Sequence, residues 1–347
     1  MIGLLERYED LFPLTSATPR ISLGEGNTPL LPLRNIGKSL GIKLYGKVEG
    51  ANPTGSFKDR GMVLAVAKAL EGGARAVVCA STGNTSASAA AYSATAGLPC
   101  YVILPAGKVA RGKLAQALIY GAKVLAVRGN FDKALELAMA ASDEWRLAIV
   151  NSVNPYRLWG QRSGAWEICD ELGRAPDWCV LPVGNAGNIT AYWAGFVQYR
   201  RMGKCQGVPR MVGVQAQGAS PLVTGVECDE PETVATAIRI GRPVNAPKAR
   251  AAVKMSGGFF MAVSDGEILE AQSLLASREG VFAEPASCAP LAGLMRLKRE
   301  GKLPEAMTIA MILTGNGLKD PDTAISKAGE PVEVDGTMEA LREVIAP

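Results

Sequence analysis

Read for hydrophobic periodicity, the chain separates into short, continuously apolar runs and longer runs in which apolar residues recur at helical spacing. Between residues 43 and 150 the two kinds alternate. The pattern predicts strands over 43–48, 76–80, 101–104, 123–127 and 147–150, and helices from 58 onward and over 85–96, 110–120 and 132–145. A second series follows: helix 156–172, strand 178–183, helix 189–202, strand 211–216, helices 265–278 and 289–299, strand 307–313 and two short C-terminal helices. Strands this apolar are buried on both faces, and their alternation with helices predicts parallel sheets with right-handed crossovers. The expected fold is therefore α/β, with two doubly wound open-sheet domains and a ligand site in the cleft between them. Residues 1–48 with 151–347 are expected to form the larger domain and 49–150 a smaller, mobile one. Periodicity weakens between 218 and 257, where the acidic stretch 227–232 predicts an exposed loop in a mobile or excursion segment.

Composition narrows the function classes. A chain of 347 residues fits two domains at about 150 residues each. With 37 basic and 33 acidic residues the net charge is only +4, and no Lys/Arg block occurs, so a nucleic-acid partner is not expected. No run of 18 apolar residues suggests a membrane span, and the N-terminus has acids early, which points to a cytoplasmic protein. Cysteines 79, 100, 169, 179, 205, 228 and 288 are scattered and never spaced C-x-x-C; they read as buried thiols in a reducing cytosol, with no metal site. There is no histidine. That excludes Ser-His-Asp and Cys-His catalysis and leaves lysine, carboxylate, tyrosine or a cofactor to move protons.

The chemistry centres on Pro53-Thr54-Gly55-Ser56-Phe57-Lys58-Asp59-Arg60-Gly61. Ser56 reads as an N-cap, which places Lys58 in the first turn of an apolar helix, where the helix dipole disfavours a cation. A lysine held partly neutral is a nucleophile able to take an aldehyde, and the aldehyde cofactor held this way is pyridoxal 5′-phosphate. Four polar strand ends supply the cofactor's other needs. Ser81-Thr82-Gly83-Asn84-Thr85 opens a helix with hydroxyls, an amide and free N–H groups, an anion site. Gly184-Asn185-Ala186-Gly187-Asn188 lets backbone N–H groups cradle a phosphate. Asn151-Ser152, with Arg157 close behind, suits a second anion. Thr314-Gly315-Asn316-Gly317 closes the last strand with a hydroxyl that can meet a ring nitrogen.

In these motifs, taken in order and together with the stretch 24–30, the sequence resembles the threonine synthase family, within the tryptophan-synthase-β-like group of pyridoxal phosphate enzymes, over essentially the whole chain. The resemblance implies that Lys58 carries the Schiff base, that Asn84 binds the cofactor's 3′ oxygen, that Gly184, Asn185, Ala186, Gly187 and Asn188 hold its phosphate, and that Thr314 faces its ring nitrogen. It further implies a substrate carboxylate on Ser81, Thr82 and Thr85 and a substrate phosphate on Asn151, Ser152, Arg157 and Asn185. The implied reaction turns O-phospho-L-homoserine and water into L-threonine and phosphate, by γ-elimination then β-addition of water, in a homodimer. Control by S-adenosylmethionine is not expected, since no long region precedes the motif at 24–30.

Related families resemble parts of this pattern. Serine and threonine dehydratases usually carry a glycine run at the phosphate loop, cysteine synthases a Gly-Thr-Gly-Gly-Thr loop, and both a serine at the ring nitrogen; cysteate synthase shares more. A non-catalytic ligand-binding protein is the reading from a different class. Lys58 argues against it, because simple binding needs no amine at that helix start.

Overall fold

The computed structural model describes residues 2–106, 111–129, 131–328 and 331–345. Its first half contains α1 (Leu4–Arg7), β1 (Leu30–Pro32), α2 (Arg34–Leu40), β2 (Lys43–Val48), α3 (Lys58–Glu71), β3 (Val77–Ala80), α4 (Asn84–Thr95), β4 (Cys100–Pro105), α5 (Arg111–Ile119), β5 (Lys123–Val127), α6 (Phe131–Trp145) and β6 (Ala148–Ile149). The second half contains α7 (Pro155–Gln161), α8 (Ser163–Leu172), β7 (Trp178–Pro182), α9 (Gly187–Arg201), β8 (Arg210–Ala216), α10 (Pro221–Thr224), α11 (Ala246–Met255), β9 (Phe259–Val263), α12 (Asp265–Glu279), α13 (Pro285–Arg299), β10 (Thr308–Leu313), α14 (Pro321–Ala328) and α15 (Met338–Ile345). The start of the helix expected at 110 lies outside the described residues.

The strands form two sheets, one of order β1-β2-β10-β7-β8-β9 and one of order β5-β4-β3-β6. Every pairing is parallel except β1 with β2, so the parallel expectation fails at one edge: α2 turns the chain straight back and Leu30 faces Lys47. One face of the larger sheet packs on α2, α12 and α13 through Leu44, Val180, Val212, Ile309 and Leu291. The other packs on α3, α8 and α9, and this core, with Met62, Val66, Trp166, Ile189 and Phe196, continues to Val77 and Val102 of the smaller sheet.

Three expectations need correction. The helix expected over 156–172 is two helices, because Arg162 N bonds back to Trp159 O at 3.2 Å, an i→i−3 contact that tightens the chain between α7 and α8. The stretch 218–257 is not simply an excursion. Its helix α11 packs on α9 and β8, Leu222 N donates to Gln215 Oε1 at 2.8 Å, and Val234 N donates to Asp265 Oδ2 at 3.0 Å. Its acidic part is exposed around Glu227, Asp229 and Glu230, as expected. Strand β9, beside β8, follows directly from this stretch and escaped the periodicity reading. Six cysteines are buried thiols; Cys228 is only half-buried. No helix of the described residues is long and apolar enough to cross a membrane.

Candidate active site

The candidate residues converge beyond the carboxyl ends of β3, β6, β7 and β10, where open α/β sheets hold ligands. Gly55, at φ +85°, turns the chain so that Ser56 bridges Gly315 and Phe57 N donates to Thr314 O at 2.9 Å. Ser56 is therefore not the N-cap. The cap position is Phe57, with no side-chain bond, and the Ser56 hydroxyl is buried without a partner. Asp59 fastens the turn instead, accepting from Thr54 N at 2.7 Å and from the hydroxyls of Thr54 and Ser88 at 2.6 Å each. Burial pushes the Asp59 carboxyl up to about 6 against these hydrogen bonds.

Lys58 opens α3. Its amine is drawn down from 10.5 to about 7, chiefly by burial, then by the Arg157 guanidinium, with the Glu284 carboxylate opposing. Arg157 comes close because two glycines let α7 lie against α3: a Cβ on Gly61 would sit 2.6 Å from Arg157 O, and one on Gly160 2.0 Å from Arg60 O. Arg157 is buried, and its Nη1 donates to Val150 O at 2.7 Å while its Nε has no partner. Burial lowers its pKa to about 10.

After β3, Ser81, Thr82, Asn84 and Thr85 are half-buried, and α4 begins at Asn84. The Asn84 amide donates to Glu284 Oε2 at 3.1 Å and Oε1 at 3.3 Å. Asn151 spends its side chain on Ala80, accepting from Ala80 N at 2.9 Å and donating to Ala80 O at 2.8 Å, with one amide hydrogen left over. Ser152 accepts at its carbonyl from Asn245 Nδ2 at 3.4 Å. In the loop after β7, a Cβ on Gly184 would lie 2.9 Å from Ile238 Cα, and Ala186 holds a left-handed φ of +61°. Asn185 accepts from Val244 N at 3.4 Å. Gly187 begins α9, and Asn188 is buried with neither amide atom partnered.

Two site residues were missed in the sequence. Glu284 sits buried before Pro285 at the start of α13; its pKa is raised, by burial first, with Asn84, Lys319 and Lys58 pulling the other way. Ser287 exchanges a hydrogen bond of 2.9 Å with Thr314 Oγ1 and accepts from Gly315 N at 2.8 Å. The available signal was Glu284-Pro285-Ala286-Ser287, an acid and a hydroxyl opening a helix of small residues. The described residues hold no cluster of three metal-ligating side chains.

A family model described as pyridoxal-phosphate dependent enzyme matches residues 21–315. A threonine synthase of Halalkalibacterium halodurans is 57% identical over 324 residues, 93% of this chain and 91% of its own length. Another, from Methanocaldococcus jannaschii, is 52% identical over 349 residues, 98% of this chain and 86% of its own. This chain belongs to the pyridoxal-phosphate-dependent enzymes, among the threonine synthases. Among solved structures, a threonine deaminase from the organism abbreviated T.th. superposes with a TM-score of 0.70 at 26% identity, covering 84% of this chain and 92% of that one. Maize serine racemase gives 0.74 at 19% identity over 87% and 92%, a likeness of fold.

The residues present fit the family's cofactor. An amine with a pKa near 7 suits an aldehyde, and a helix start with a buried, unpartnered Asn188 beside a close-packed glycine suits a phosphate. The hydroxyl pair Thr314–Ser287 offers a neutral hydrogen bond to a ring nitrogen.

Proposed function

We propose that this pyridoxal-phosphate enzyme converts O-phospho-L-homoserine and water into L-threonine and phosphate, in the cytoplasm and as a homodimer, with no nucleic-acid or membrane partner. Identities of 52 to 57% to threonine synthases over nearly the whole chain support the reaction. The structural observation that carries it is Arg157, a buried guanidinium with an unpartnered Nε beside Lys58, in addition to the loop 184–188. One site then offers two places for anions, which a phosphorylated substrate on a phosphorylated cofactor requires and a dehydratase of serine or threonine does not.

In this proposal Lys58 holds the cofactor's aldehyde carbon, Gly184, Asn185, Ala186, Gly187 and Asn188 its phosphate, Asn84 its 3′ oxygen and Thr314 its ring nitrogen. When bound, pyridoxal phosphate supplies an electron sink conjugated to the substrate's Cα. Ser81, Thr82 and Thr85 take the substrate carboxylate at the start of α4. Arg157, Ser152 and Asn185 take its phosphate, and Asn151 supports them by tying its loop to Ala80. Once free, Lys58 Nζ, an amine whose pKa burial draws down, is placed to accept a proton and return it, the work that histidine does elsewhere. Residues 49–150 form the smaller domain, which closes on 1–48 and 151–347 and keeps bulk water from the reacting carbons.

Assaying phosphate and threonine with O-phosphohomoserine, O-phosphoserine, serine and threonine in parallel tests this. Threonine and phosphate in equal amounts from phosphohomoserine alone is expected. Release of ammonia from serine or threonine as the main activity would move the chain to the dehydratases, and sulfite-dependent turnover of phosphoserine to cysteate synthase.

A further inference from the structure

Backbone contacts clamp the end of β10 to the start of α13. Ala283 bridges Asn316, Glu284 N donates to Gly315 O at 3.1 Å, and Phe57 N donates to Thr314 O at 2.9 Å. Gly315 permits the close approach, since a Cβ there would lie 2.5 Å from Glu284 Oε1. Ser287, in the first turn of α13, is thereby held against Thr314, and both residues are buried.

A hydroxyl has one hydrogen to give and two lone pairs, and a buried one needs partners for what it offers. Gly315 N donates to Ser287 Oγ at 2.8 Å, which occupies one of its lone pairs. For the Ser287 hydrogen two acceptors are in reach, Thr314 Oγ1 at 2.9 Å and Gly315 O at 3.3 Å. Glu284 N already binds Gly315 O, and 3.3 Å is long for a bond between a hydroxyl and an oxygen. The Ser287 hydrogen therefore goes to Thr314 Oγ1. Thr314 Oγ1 makes no other hydrogen bond among the described residues, so its own hydrogen is left for a ligand. Run the other way, with Thr314 donating to Ser287 and Ser287 to Gly315 O, the pair would leave Thr314 able only to accept.

We propose that Ser287 is a positioning residue: it fixes the direction of the hydrogen-bond chain from Gly315 N through Ser287 Oγ to Thr314 Oγ1, and so holds the Thr314 hydroxyl as a donor to the cofactor's ring nitrogen. This rests on the reading above that Thr314 faces that nitrogen. Without Ser287 the Thr314 hydroxyl is free to turn its hydrogen to Gly315 O, and the donor is no longer held ready for the ring.

The test compares the affinity of the full chain for pyridoxal phosphate with that for the analogue carrying C–H in place of the ring nitrogen. The analogue keeps the aldehyde and the phosphate, so the ratio of the two affinities isolates the bond to the nitrogen. Wild type should favour pyridoxal phosphate ~10-fold, about 1.4 kcal/mol. Thr314→Val should erase or reverse that preference. Ser287→Ala should cut it at least ~3-fold, and Ser287→Cys, similar in size but a weak donor, should fall between alanine and wild type. If Ser287→Ala weakens both cofactors equally, or raises the ratio, Ser287 does not set the direction and the proposal is overturned while Thr314 keeps its place. If Thr314→Val leaves the ratio unmoved, Thr314 is not at the nitrogen, and the underlying reading falls together with the proposal.

Discussion

Replacing Lys58 with methionine isolates the electrostatics of the site, because it can be studied on cofactor-free protein without any substrate. In that state the Lys58 amine has a pKa of about 7 where the unfolded chain has 10.5, burial and Arg157 being the causes. Above about pH 10.5 the amine is neutral in both states and its titration adds nothing. As pH falls below that value the unfolded chain takes up a proton that the folded chain refuses, so Lys58 destabilises the fold progressively. Below about pH 7 both states are protonated and the penalty is constant. The difference of 10.5 − 7, about 3.5 pH units, at ~1.36 kcal/mol each, sets a ceiling of about 5 kcal/mol.

Lys58 keeps some contact with solvent in the cleft, which screens part of this, so we expect ~2–4 kcal/mol. Methionine preserves the length and volume of the side chain, so little packing is lost. Urea denaturation of the cofactor-free wild type and Lys58→Met, from pH 6 to 10.5, reads the difference directly. The variant should be more stable at pH 6–7, and the gain should shrink to nothing by pH 10.5. A gain that does not vary with pH, or none at all, refutes the reading of Lys58 as an uncompensated buried amine.

Glu284→Gln removes the anion facing Lys58 but leaves an oxygen for Asn84, so the amine should deprotonate more readily; the pH midpoint for pyridoxal phosphate uptake by cofactor-free protein, followed by absorbance, should fall by up to about one unit. An unmoved midpoint counts against Glu284 as an electrostatic partner. Arg157→Ala should raise the KM for phosphohomoserine ~10–100-fold, as expected for a lost charge-assisted contact, with cofactor content unchanged; lost cofactor would place Arg157 on the other phosphate. Arg60→Ala should cost about 3–5 kcal/mol in urea denaturation at neutral pH, since it strands the buried carboxylates of Glu49 and Glu167; a loss under 1 kcal/mol would mean that water replaces the guanidinium.

The alternation of apolar runs made the α/β class and nearly every strand readable, because buried strands have no polar face to hide them. The four polar strand ends were readable for the same reason: Asn84, Gly184 and Thr314 interrupt apolar runs where a packed edge would have no use for them. Part of what escaped depends on contacts distant in sequence. Ser56 has the chemistry of a cap, but the bridge to Gly315 claims its backbone. The break before α8 rests on one i→i−3 bond, Arg162 N to Trp159 O, which leaves the apolar periodicity on either side intact. Glu284 and Ser287 start a helix that follows no strand end, so their local signal, an acid and a hydroxyl ahead of small residues, lay outside the strand ends where a ligand is sought. Strand β9 was lost because its apolar run adjoins a stretch of weak periodicity.

The buried cations divide by what answers them. Arg60 and Lys47 are wholly buried, and each has carboxylates in reach: Arg60 Nε on Glu49 at 2.6 Å and Nη2 on Glu167 at 2.6 Å, Lys47 Nζ on Glu167 at 3.0 Å and Glu171 at 2.6 Å. That network ties α3 to β2 and α8, and Arg60 is held far more firmly protonated than usual. Two residues earlier on the same helix Lys58 has no ion pair among the described residues, and neither does Arg157 across from it; both pKa values are lowered instead. A fold able to surround Arg60 with acids could have done so for its neighbours. Leaving Lys58 and Arg157 short of anions lowers stability, as the methionine variant would reveal, and in the proposed function that cost is recovered when phosphate and carboxylate groups arrive from outside. Buried positive charge short of anions is thus what separates the candidate site from the scaffold on a single helix, and it is the property that the proposed anionic substrate and cofactor would use.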